Sequence, residues 1–402
     1  NPQITFFKVV YRRHTNFSVE SIEQTFNGTN DFGNTVTATI SRNGDLVTNM
    51  YLQFDLNALS TVDDDQPFWT DEVGNALVEE AELEIGGQRI DKHFSEWLSI
   101  WSELNLSESQ KGSNMEVGYN SMVGRNPVPN HNAHLKEHAR TARTYYVPLR
   151  FWFNRNPGLA LPLIALQYHE VKIKLKLRSG SHLVRLTNNK SGPSFTTTLS
   201  NASLWVDYVY LDTDERRRFA QVSHEYLIEQ VQEREETVGN VTDKTVDLNF
   251  NHPVKELVWV MVQDAKATGG TSGYNAKTGN QWLNFAPEVG TTGNQLGEHF
   301  DTATLKLNGH ERFSARKASY FRVVQPYQHH TSAPNRHIHV YSFALKPEEH
   351  QPSGTCNFSR IDNAQLELKS LTNALSMNLI VYAVNYNVLR IMSGMGGLAY
   401  SN

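Results

Sequence analysis

The sequence predicts an all-β chain of two antiparallel sandwiches or barrels in tandem, with short helices confined to connections. Three observations predict it: apolar residues alternate with period two along most of the chain, helical periodicity occurs in only two places, and segments of the first half recur in order in the second.

Alternation is clear where Leu46, Thr48, Met50, Leu52, Phe54 and Leu56 share one face and Asp45, Tyr51, Gln53 and Asp55 the other. In Val171–Leu177, Lys172, Lys174 and Lys176 point one way and Val171, Ile173, Leu175 and Leu177 the other. One wet face favours an antiparallel sheet. Further strands are expected at 17–26, 82–90, 145–153, 204–211, 226–232, 256–263, 303–308, 337–345, 364–369 and 378–387. Phe94, Trp97, Leu98, Trp101 and Leu104 form one helical stripe. Phe219, Val222 and Tyr226 form a shorter one after Asp212, which precedes Glu215 by three residues in the manner of a capping box.

The repeat is read from four matches: Phe17-Ser-Val-Glu-Ser-Ile with Tyr226-Leu-Ile-Glu-Gln-Val, and Ala81-Glu-Leu-Glu-Ile-Gly-Gly with Ala303-Thr-Leu-Lys-Leu-Asn-Gly. Glu170-Val-Lys-Ile-Lys-Leu pairs with Asn363-Ala-Gln-Leu-Glu-Leu, and Leu204-Trp-Val-Asp-Tyr-Val with Leu379-Ile-Val-Tyr-Ala-Val. Their conserved order is what a duplicated β domain with divergent loops leaves. The expected units are 1–211 and 226–402, with 212–225 a linker carrying a short charged helix. Long connections are read at about 107–143, 179–201 and 264–300.

Composition sets the limits. The 402 residues exceed one core, and 39% hydrophobic content excludes a disordered chain. Lys plus Arg total 37 against 42 Asp plus Glu, a net charge of −5 that argues against direct nucleic-acid binding. The longest uncharged apolar stretch, Leu159 to Leu166, is far short of the roughly 18 residues of a spanning helix. One cysteine, Cys356, reads as a small apolar residue and fits assembly in a reducing compartment. The chain begins at Asn1 with no leader-like segment, so upstream residues are expected to be missing.

No pattern carries catalytic chemistry or a cofactor. His337 and His339 share a strand face as jelly-roll metal ligands do, but positions 343 and 344 are Phe and Ala where a ligating Glu would follow. His131, His134 and His138, and His329 with His330, read as surface or hydrogen-bonding histidines. Gly269–Gly273 precedes no helix, and Ser393-Gly-Met-Gly-Gly397 reads as a docking tail. Arg216, Arg217 and Arg218 are the only strong basic run and read as a solvated or intersubunit salt-bridged linker. Asn-x-Ser/Thr triplets start at Asn16, Asn27, Asn105, Asn189, Asn201, Asn240 and Asn357; Asn189, in a long loop, is the best glycosylation candidate, followed by Asn201, Asn240 and Asn105.

Asn1-Pro-Gln-Ile-Thr-Phe-Phe-Lys-Val-Val-Tyr-Arg-Arg-His-Thr-Asn-Phe17 resembles the start of the major capsid proteins of nucleocytoplasmic large DNA viruses. Ile40-Ser-Arg-Asn-Gly-Asp-Leu46, Leu83–His93, Pro157–Val171, Gln351–Asn363 and Asn385–Tyr400 resemble further blocks of that family, closest to its algal chlorovirus-like and amoebal-virus members. The resemblance implies two consecutive eight-stranded jelly rolls and a homotrimer forming a pseudo-hexagonal capsomer. It also implies neighbouring capsomers and minor capsid proteins as partners in an icosahedral shell, assembled in the host cytoplasm, and an inward-facing arm before Asn1. Phe94, Trp97 and Trp101 are expected to pack a connecting helix against its own jelly roll or a neighbour. The rival is a glycan-binding or metal-dependent tandem β-sandwich.

Overall fold

The computed structural model describes residues 14–59, 67–127, 132–186, 195–239, 241–263, 280–287, 297–371 and 376–400, the side chains of 132–134 excepted. The first half forms two four-stranded antiparallel sheets. One runs Phe17–Gln24, Leu199–Leu211, Leu46–Leu56, Arg143–Pro148, and the other Thr35–Thr39, Val171–Leu177, Val78–Ile85, Gln88–Phe94. In chain order these eight strands pair as 1-8-3-6 and 2-7-4-5, the jelly-roll arrangement. Short strands at Pro67–Trp69, Leu161–Pro162 and Val184–Leu186 are additions to it.

The second half repeats the order. His224–Val238, Met377–Met392, Pro253–Gln263 and His339–Ser342 form one sheet; Lys244–Asp247, Ala364–Lys369, Thr302–Leu307 and His310–Glu311 form the other. Each of the four sequence matches joins strands at equivalent places: first with first, fourth with fourth, seventh with seventh, eighth with eighth. Among the described residues, every strand pairing stays on one side of the Thr213–Gln221 helix.

Side-chain alternation does what the pattern predicts. Val171, Ile173, Leu175 and Leu177 are buried, while Lys172, Lys174 and Lys176 lie opposite Glu84, Glu82 and Glu80 of the neighbouring strand. Lys174 bonds Glu84, and Lys176 Nζ lies 2.8 Å from Glu79 Oε1. The sheet therefore faces water through opposite-charge cross-strand pairs.

Several boundaries differ from expectation. The 82–90 segment is two strands joined at Gly86 and Gly87, both at positive φ, the geometry a two-residue hairpin demands. The 145–153 strand ends at Pro148 and gives way to a helix at Trp152–Arg155. The 107–143 connection contains helices Glu108–Lys111, Gly118–Val123 and Asn132–His138, each too short to show a periodic stripe. The Asp212 side chain accepts from the Thr213 amide rather than closing a box with Glu215, and Tyr226 falls on the following strand.

Candidate functional site

The feature that distinguishes this chain from two linked sandwiches is the junction between its halves. Pro253–Gln263 is buried at ten of its eleven positions, and Met377–Met392 is nearly as closed. Leu257, Trp259, Met261, Leu379 and Val381 fill the second half's own core. The alternate residues Val258, Val260, Val262, Ile380, Tyr382 and Val384 belong instead to the core of the first half. A sheet covered on both faces explains why Val258–Val262 and Leu379–Val384 are apolar runs without alternation.

The cover comes from the Ser95–Asn105 helix and its entry. The Trp97 ring lies 5.3 Å from that of Tyr382 and 5.8 Å from that of Trp101, and the Phe94 ring lies 6.4 Å from Tyr382. Trp97 and Trp101 are buried and Phe94 half-buried. The Arg155 guanidinium sits 3.9 Å over the Trp101 ring. The three aromatic residues named from sequence therefore meet at one interface between the two halves of a single chain.

Charged groups surround this apolar patch. Arg336, from the second half, contacts Asp71 Oδ2 and Glu72 Oε1 at 2.9 Å each and donates to the Leu283 carbonyl. Burial weakens its charge, and Glu72, Asp71 and Glu103 more than restore it, holding the guanidinium's pKa above its usual value. Arg125 bonds Glu103 and lies 3.1 Å from Glu72, while the Asn335 amide donates to Glu103 at 3.0 Å. Lys111 reaches Ser332 Oγ at 2.9 Å. On another side, Glu229 accepts from Arg155 at 2.6 Å and Lys255 at 2.9 Å. Burial raises the Glu229 pKa, but Lys255, His350 and Arg155 outweigh it and hold the carboxyl at about 2. Glu233 behaves oppositely: burial, with Glu96 nearby, pushes it up to about 8, and it accepts from Tyr382 Oη at 3.2 Å. Burial likewise raises Glu96.

The C-terminal Met395–Leu398 strand folds back on Met377–Met392 and reaches the first half. The Tyr168 amide donates to the Gly394 carbonyl at 2.9 Å, and the Gly396 amide donates to His169 Nδ1 at 3.1 Å. Leu166 and Ile85 press on Gly396 so closely that a Cβ there would lie 2.6 Å from Leu166 Cδ2.

The remaining residues singled out from sequence lie apart from the junction. Arg216 Nε lies 3.0 Å from Asp45 Oδ1 of the same chain, and Arg217 and Arg218 are exposed. Asn201 is exposed at φ 51° and donates to Asp55 Oδ2 at 2.7 Å; Asn105 ends the Ser95–Asn105 helix, half-buried. Asn189, Asn240, His131 and Gly269–Gly273 lie outside the described residues. His339 stacks on Trp259 with ring centroids 5.8 Å apart, and His337 Nε2 bonds the Gly297 carbonyl at 2.9 Å. His330 is enclosed between Glu256 at 2.9 Å and Glu348 at 2.8 Å; burial opposes its charge, but the carboxylates carry its pKa up to about 9. Among the described residues no group of three or more His, Cys, Asp or Glu could hold a metal ion. No described helix is long and apolar enough to cross a membrane.

Residues 5–212 match the family described as major capsid protein N-terminus, and residues 215–397 that described as large eukaryotic DNA virus major capsid protein. The major capsid protein of Pyramimonas orientalis virus is 51% identical over 427 residues, covering 100% of this chain and 95% of the relative. A chain of the PBCV-1 virus capsid superposes with a TM-score of 0.77 at 40% identity, covering 99% of this chain and 100% of that one. The Faustovirus major capsid protein shares the double jelly-roll fold, with a TM-score of 0.74 at 13% identity over 97% of this chain and 93% of its own. With the repeated strand order, the shared junction core and these likenesses in agreement, the chain belongs to the major capsid protein family of large eukaryotic DNA viruses.

Proposed function

We propose that this structural capsid protein acts as one third of a capsomer: three chains associate, and their six similar lobes make a pseudo-hexagonal tile. The observation that carries the reading is the repetition of one eight-strand order in two halves that share a core. Such a chain moves as one body with two nearly equivalent lobes, the shape a hexagonal array requires of a trimer. Its work is assembly and carries no turnover. Capsomers meet one another and minor capsid proteins, and are built in the host cytoplasm.

Within this reading the divisions are 1–211, the linker 212–225 and 226–402, with the second unit's first strand starting two residues inside that linker, at His224. Phe94, Trp97 and Trp101 fix the lobes in place, and the exposed Arg217 and Arg218 face partners across the assembly. Light scattering on the purified protein tests the proposal. A stable species of three chain masses is expected, and a monomer at the concentrations reached in assembly overturns it.

A further inference from the structure

The contact between the two halves supplies a template for the contact between chains, and the inference rests on the trimer reading above. In the first half, the connection between the fifth and sixth jelly-roll strands carries the helix that covers the second half's 1-8-3-6 sheet. In the second half the equivalent connection, between His310–Glu311 and His339–Ser342, carries the helical turns Tyr320–Val324 and Gln325–His329. Those turns present apolar side chains to solvent: Val323 is 48% exposed, Val324 38% and Tyr327 81%. Leu345, 75% exposed, adjoins them through the contact of His329 Nδ1 with the Leu345 carbonyl at 3.1 Å.

The surface such a connection would cover is also present. On the first half's 1-8-3-6 sheet, the row Glu23, Trp205, Tyr51, Pro148 lies across the strands by register. Its counterpart in the second half is the row Glu235, Ile380, Val260, of which Ile380 and Val260 lie in the shared core. In the first half the row is aromatic and incompletely covered. Trp205 and Tyr51 stack at 6.4 Å with planes 7° apart, and Tyr146, 36% exposed, meets Tyr51 at 6.0 Å. Their neighbours Leu204, Val206, Leu52 and Val147 point inward and are fully buried, so these rings form the outer face.

We infer that the Val323, Val324 and Tyr327 surface of one chain covers the Tyr51, Trp205 and Tyr146 face of a second copy, repeating between chains the contact made within each chain. Such a contact is head-to-tail: one patch gives and a different patch receives. A head-to-tail contact generates a ring when its rotation closes. The match is apolar against aromatic: Arg322 of the giving turns is held by Glu298 of its own chain at 2.6 Å, and Asp55 on the receiving face accepts from Thr144 and Asn201.

The test uses the full chain. Tyr146→Glu and Tyr327→Glu are made separately, one on each patch, and judged by far-ultraviolet circular dichroism and by light scattering. Both variants are expected to keep the native spectrum and to run at one chain mass where the unaltered protein runs at three. In a Cys356→Ser background, Tyr146→Cys combined with Tyr327→Cys is expected to give disulfide-linked chains on oxidation, and either single cysteine to give none. An unaltered protein that is a monomer defeats the trimer reading. An unaltered trimer that survives both glutamates, or forms no interchain disulfide in the paired variant, overturns this interface and leaves the trimer reading standing.

Discussion

Trp97 offers the sharpest test of the junction. It is fully buried, 5.3 Å from Tyr382 across the two halves, and its Nε1 has no hydrogen-bond partner among the described residues. Trp97→Ala removes an aromatic ring from a closed core, a change that costs roughly 3–5 kcal/mol. Of that, the aromatic pairing with Tyr382 accounts for about 0.5–1.5 kcal/mol, and the remainder is transfer and cavity free energy. Because no hydrogen bond is lost, Trp97→Phe is expected to cost only about 1–2 kcal/mol. Guanidinium unfolding followed by circular dichroism reads these as midpoint shifts at constant slope. A cycle of Trp97→Ala, Tyr382→Ala and the double variant isolates the pair, with a coupling of about 0.5–1.5 kcal/mol expected. A Trp97→Ala variant within about 1 kcal/mol of the unaltered protein, or a coupling indistinguishable from zero, refutes the claim that this helix clamps the halves together.

Arg336→Met leaves Asp71 without its closest cation and Glu72 with Arg125 alone, so destabilisation of about 3–5 kcal/mol is expected in the same unfolding assay, partly recovered by Arg336→Lys. Glu233, raised from 4.5 to about 8, holds a proton in the folded chain that the unfolded chain releases. Its contribution is complete below about pH 4.5 and is lost as the pH rises through 8. Glu233→Gln should therefore gain stability over the unaltered protein by roughly 2–5 kcal/mol between pH 5 and pH 9, measured as the difference in unfolding midpoints across that range. A flat difference counts against the buried carboxyl.

Much of this architecture is legible one strand at a time. Alternation in Leu46–Leu56 and Val171–Leu177 is set by one face meeting the core of its own half and the other meeting water or polar cross-strand partners, so periodicity reports it. The internal matches find topologically equivalent strands because both copies retain the same core positions. What the pattern misses depends on the other half. Glu72, Glu103 and Arg125 carry no periodic signal of burial; Arg125 pairs with both carboxylates, and contacts with Asn335 and Arg336, more than 200 residues away, complete the cluster. Between Ser95 and Leu104 only Glu96 is not fully enclosed, so Glu103 falls on a helix with no wet side to receive it. The Gly86-Gly87 turn interrupts the strand expected over 82–90, and Leu83, Ile85 and Ile90 on either side of it are all buried.

The two kinds of group at the junction have different consequences for assembly. A smooth face such as Val258, Val260, Ile380 and Val384 would tolerate a helix displaced along it, since apolar burial is non-directional. Displacement of that helix would part Glu103 from the Asn335 amide, and a shift of the first half with it would part Arg336 from Glu72 and Arg155 from Glu229; each buried charge left alone costs about 3–5 kcal/mol. Charge thus fixes the register that apolar area stabilises. The receiving face of the first half has the rings but not the enclosed ion pairs: its acids Glu23, Asp55 and Asp207 are exposed or half-exposed. The contact between chains should then be the weaker of the two. In rising guanidinium, light scattering is expected to fall from three chain masses to one before circular dichroism reports unfolding. Coincident transitions would mean that the chain-to-chain contact is as strongly held as the junction, and that register is not where the two interfaces differ.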